Sequence, residues 1–125
     1  MKKKYHLIVS IIILIPIAFA YGNASNLTDS FHFEIIEIDL KNILKATMGL
    51  YLAVICLWIY GIINNEYWKM ATILNVLFML GLGAGRLISF CIDGTPSGGL
   101  LVGTLLEFLL GSWGVYNLKK YKSEN

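Results

Sequence analysis

The chain has 125 residues, 57% of them hydrophobic and only 14% charged, and a mean hydropathy of +0.68. A soluble domain carries roughly 25% charged residues, so this deficit points to lipid as the surroundings. A net charge of +2, with lysines gathered at chain ends, excludes a basic nucleic-acid-binding stripe, and the length suits a single domain over residues 1–125.

The first apolar stretch covers residues 7–21. Lys2, Lys3 and Lys4 precede it, Pro16 interrupts it, and Ala18-Phe19-Ala20 end it. That is the pattern of a secretory signal peptide cleaved before Tyr21. The competing reading is a retained first helix, slightly short for the bilayer. Both readings place the following segment outside.

Residues 22–42 form the outer loop. Phe31, Phe33 and Ile35 alternate with His32 and Glu34, and Ile36, Ile38 and Leu40 alternate with Glu37 and Asp39. This period of two, with one slip, predicts a short extended stretch with a bulge; an amphipathic lead-in to the second helix is the alternative.

Three further apolar stretches cover residues 43–63, 68–92 and 99–118. Each approaches or exceeds the roughly 20 residues that a helix needs to cross the hydrocarbon. Asn64-Asn65-Glu66, Asp93-Gly94-Thr95-Pro96-Ser97 and Lys119-Lys120 bound them. The expected fold is an all-α membrane protein: a four-transmembrane-helix bundle with a short extracytoplasmic extended or amphipathic segment between helices 1 and 2.

The lysines set the orientation. Lys2, Lys3, Lys4, Lys69, Lys119, Lys120 and Lys122 fall on one side, and only Lys41 and Lys45 on the other. The positive-inside rule makes the lysine-rich side cytoplasmic. The expectation is a multi-pass protein of the bacterial inner membrane with both termini in the cytoplasm.

Lipid-facing helix surfaces can be apolar all round, so polar and small residues mark the faces turned toward protein. Asn75, Arg86, Ser89 and Asp93 share one stripe of the third helix. Gly99, Gly103, Glu107, Gly111 and Gly114 share one stripe of the fourth, and Asn42, Lys45, Gly49, Ala53 and Cys56 one of the second. Gly81–Gly85 and Gly99–Gly103 have G-x-x-x-G spacing. Gly49, Gly81, Gly85, Gly99, Gly103 and Gly111 are therefore expected at helix contacts.

Arg86 and Glu107 are the charges well inside the hydrocarbon. Each stands about ten residues from the Pro96-Ser97 turn, roughly 15 Å along its helix, so an antiparallel hairpin sets them at equal depth. An unpaired Arg there costs roughly 2.5–3.5 kcal/mol, which favours a pair. The planar guanidinium fork suits a carboxylate with two hydrogen bonds.

No catalytic pattern accompanies the pair. There is no nucleophile–base pair, carboxylate dyad or phosphate loop; Cys56 and Cys91 have no metal-ligand spacing and lie at different depths, which forbids a disulfide, and His6 and His32 fall on opposite sides of the bilayer and cannot share a metal. No cofactor or metal is expected, and these four residues read as structural.

The run Gly85-Arg86, Ser89, Asp93-Gly94-x-Pro96, followed by Glu107 a helix length on and preceded by Asn42, Lys45, Gly49 and Tyr51, resembles a bacterial membrane family labelled domain of unknown function 4345. The resemblance covers residues 42–116. It implies a small protein of four membrane helices, with the first stretch retained and no established activity. It places Arg86, Ser89, Asp93, Gly94 and Glu107 at the family's motif positions. Lys45 departs from the Arg usual there, and it lacks the planar fork.

The function expected is that of a structural, accessory or complex-forming membrane protein. Its surroundings are the lipid bilayer, and its partner a second copy or another membrane protein. The alternative is binding of a lipid headgroup or small anionic ligand through an outer-half polar cluster of Lys45, Arg86, Ser89, Asp93 and Glu107.

Overall fold

In hydrocarbon no water satisfies backbone N–H and C=O groups, so an apolar run must bond to itself as a helix. The computed structural model describes residues 1–23 and 38–122, and there the four apolar runs are helices: α1 (Tyr5–Gly22), α2 (Ile38–Ile63), α3 (Trp68–Asp93) and α4 (Gly98–Lys120). All four are long and apolar enough to cross a membrane. Short 3-10 turns at Lys2–Lys4 and Asn65–Tyr67 precede α1 and α3.

The helix bounds differ from expectation where polar residues meet the span. α2 includes Ile38–Asn42, so Asp39, Lys41 and Asn42 are helical at the polar edge of the span. At 26 residues it is about 39 Å long, more than the hydrocarbon alone requires. Ile38–Asn42 is helical and exposed, whereas the alternation at Phe31, Phe33 and Ile35 lies outside the described residues.

Pro16 does not end α1, which continues to Gly22. The ring removes the N–H that would bond the Ile12 carbonyl, a loss that membrane helices tolerate when neighbours compensate.

Two tight connections make the later helices antiparallel. The Asn64 side-chain oxygen accepts from the Glu66 N–H at 3.1 Å and turns the chain between α2 and α3. Gly94, with φ of 104°, ends α3 in a conformation that favours glycine, and Ser97 holds the N-cap position of α4 through its backbone carbonyl, which accepts from the Leu100 and Leu101 N–H groups.

α1 packs chiefly along α2, and α3 along α4. Between these pairs lies the core, where Leu7, Trp58, Trp68, Ala71 and Met79 are buried. Tyr51 meets Phe78 edge-on at 5.0 Å and Trp58 meets Phe78 at 5.8 Å, which joins α2 to α3.

Candidate functional site

The α3–α4 hairpin brings Arg86 and Glu107 side by side. The Arg86 Nε–H donates to both carboxylate oxygens, at 3.0 Å to Oε1 and 3.1 Å to Oε2. The guanidinium therefore does not present two parallel N–H groups to the carboxylate as the fork expectation had it. Its Nη2 turns instead to α1 and donates to the Tyr21 hydroxyl at 3.1 Å. Tyr21 is held by its ring contact with Tyr51, 5.3 Å between centroids. One cation thus links α1, α3 and α4, and the Tyr21 ring extends the chain of contacts to α2. The Arg86 and Glu107 side chains are 22% and 9% exposed. At this separation charge-assisted bonds offset much of the cost of taking both charges out of water.

The other members of the expected cluster stand apart from this pair. The Ser89 hydroxyl donates to Asp93 Oδ2 at 2.7 Å, one helical turn along the exposed end of α3. Lys45 is exposed on α2 and makes no hydrogen bond or ion pair among the described residues. The five residues divide into two local pairs and a lysine without a partner among the described residues. Depth can be read from spacing along a helix; direction around the bundle axis cannot.

The glycines divide as well. A Cβ on Gly111 would meet Leu80 and Met79, so this residue lies in the α3–α4 contact. A Cβ on Gly49, Gly81, Gly85 or Gly103 would meet nothing within 4 Å, so these residues make no close helix contact among the described residues. Gly99 is exposed at the start of α4. Close contacts fall instead at Gly61 against Ala71, Gly83 against Phe108 and Gly114 against Val76.

A buried polar network went unrecognised in the sequence. His6, Ser10, Thr72 and Asn75 are 0% exposed and Asn117 is 3% exposed. Asn117 Nδ2 lies 2.8 Å from His6 Nδ1. With the amide as donor, Nδ1 accepts and the neutral ring carries its proton on Nε2. Asn75 Nδ2 donates to Ser10 Oγ at 3.0 Å, and the Ser10 hydroxyl donates to the His6 carbonyl at 2.8 Å. At the same end Trp68 Nε1 donates to the Lys3 carbonyl at 2.8 Å, and Lys4 Nζ to the Ile62 carbonyl at 2.6 Å. A signal was available: His6 lies near the start of the first stretch and Asn117 near the end of the last, hence at matching depth in a chain that crosses four times.

No group of three or more His, Cys, Asp or Glu side chains among the described residues could hold a metal ion. Cys56 and Cys91 are exposed and unbonded.

A family model described as domain of unknown function (DUF4345) matches residues 3–118, a span that includes the whole of α1. No curated protein and no solved structure gives a significant match.

Proposed function

From the premise that the chain belongs to the DUF4345 family of domains of unknown function, we propose that it serves as a structural, complex-forming membrane protein. The observation that carries this reading is the use made of Arg86. Its Nε and Nη2 groups are engaged by Glu107 and Tyr21, so the strongest polar group inside the span is committed to joining helices. The expected inner-membrane location, with both termini cytoplasmic, rests on the lysine asymmetry of the sequence.

The test is purification of the tagged full-length protein in a gentle detergent after brief cross-linking in membranes. The reading expects a discrete oligomer or one stoichiometric membrane-protein partner. A strictly monomeric and solitary protein contradicts it.

A second reading, capture of a small anion at Arg86, has one supporting observation: that side chain remains 22% exposed. Against it stand the separation of Lys45 and the mutual engagement of Ser89 and Asp93. Native mass spectrometry with an anionic species bound to the wild type and absent from Arg86→Ala would favour this reading.

A further inference from the structure

At the end of the bundle opposite the α3–α4 turn, a cavity of about 350 Å³ opens between α3 and α4. This is a volume in the range of small-molecule clefts, about 300–1,000 Å³. Ile73 from α3 and Val115 and Leu118 from α4 form its apolar wall. Trp68 and Tyr121 close one side, packed edge to face with 6.2 Å between centroids. The hydrogen bond from Trp68 Nε1 to the Lys3 carbonyl fixes that wall.

Lys69, Lys119 and Lys122 also line the cavity, and no acidic side chain among the described residues does. All three are exposed, and none has a hydrogen-bond or ion-pair partner among the described residues. Glu66, the nearest acidic residue in sequence to Lys69, is exposed on the preceding 3-10 turn and does not line the cavity. Lys69 sits in the first turn of α3, where the helix dipole is also positive and a cation is disfavoured. Further into the span, Ile73 and Leu77 leave an apolar strip on α3 that is 41% and 65% exposed.

We propose that this cavity is a binding site for an anionic diacyl phospholipid of the surrounding leaflet. The phosphate lies among Lys69, Lys119 and Lys122, and the upper acyl chain lies on Ile73, Val115 and Leu118. The charge complementarity and the apolar wall favour a lipid over a soluble anion, because a free phosphate uses only the lysines. Basic pockets between membrane helices hold lipid headgroups by this combination. Trp and Tyr at that level suit the boundary between acyl chain and headgroup.

The test incubates delipidated full-length protein in detergent with equal amounts of phosphatidylglycerol and phosphatidylcholine and reads bound lipid by native mass spectrometry. Wild type is expected to retain phosphatidylglycerol over phosphatidylcholine by at least about tenfold, given the contribution of each lysine beside an anionic headgroup. Lys69→Gln/Lys119→Gln/Lys122→Gln is expected to bring the ratio near one, with an unchanged size-exclusion profile as the folding control. Lys41→Gln/Lys45→Gln, at the other end of the bundle, is expected to leave the ratio as in wild type. Equal retention of both lipids by wild type overturns the proposal. So does a preference that survives the triple substitution, or one that falls equally in the Lys41/Lys45 variant. Full competition by inorganic phosphate also overturns it, because the site then takes a free anion and not a lipid.

Discussion

Asn117 Nδ2 stands 2.8 Å from His6 Nδ1 across 111 residues of chain, in a setting where both side chains are buried. This contact binds the first helix to the last, although α1 and α4 otherwise meet little. Hydrogen bonds between membrane helices average about 0.6 kcal/mol and reach about 1.7. Asn117→Leu is therefore expected to lower the melting temperature in detergent modestly. His6→Phe in the Asn117→Leu background is expected to cost less than His6→Phe alone. Thermal unfolding of the three variants checks this, and strictly additive losses would deny the coupling.

Glycine substitutions separate contacts inside the bundle from open faces. A Cβ at Gly61 would overlap the Ala71 Cβ and lie 3.3 Å from the Tyr67 carbonyl oxygen, neither of which is the tip of a flexible side chain. Gly61→Ala is expected to destabilise by about 1–3 kcal/mol through overpacking. Gly81→Ala meets nothing within 4 Å and is expected to stay within about 0.5 kcal/mol of wild type. Parallel melting curves in one detergent make the comparison.

Tyr21 is expected to act on the bundle through Arg86. Tyr21→Phe removes the acceptor of the Arg86 Nη2 bond and keeps the ring against Tyr51, so a loss of about 0.5–1.5 kcal/mol is expected. In an Arg86→Ala background the same substitution is expected to change nothing. An equal loss in both backgrounds would show that the hydroxyl works elsewhere.

α1 supplies Leu7, Leu14 and Ala18 to the core and His6 and Ser10 to the polar network. The protein extracted from membranes is accordingly expected to retain this helix, as N-terminal sequencing checks. A mature form beginning at Tyr21 would contradict that expectation.

The helices were legible because a long apolar run has one stable form in hydrocarbon. The helical state of Ile38–Asn42 was not, since alternating polar and apolar residues at the membrane surface suit a strand and an interfacial helix equally. The proximity of Arg86 and Glu107 followed from equal distance to a turn. The role of Tyr21 did not, because no spacing rule links α1 to α3 across an intervening loop. Gly81 and Gly85 illustrate a further limit: periodicity assigns residues to one face, but lipid and protein interior are similarly apolar, so composition does not say which of them that face meets. His6 was visible at the edge of the first apolar run and Asn117 near the end of the last; only matching their depths connects them.

The central claim is that polar contacts inside the span hold the helices together, and the Arg86–Glu107 pair tests it most directly. Arg86→Ala, Glu107→Ala, the double variant and the charge swap Arg86→Glu/Glu107→Arg are to be compared by membrane accumulation and melting temperature. Each single variant leaves a charge inside the span without its counter-ion and is expected to lose about 3 kcal/mol. The double variant is expected to recover much of that loss, and the swap part of it. A double variant whose loss equals the sum of the two singles would contradict the account, because the two side chains would then contribute independently and not as a clamp.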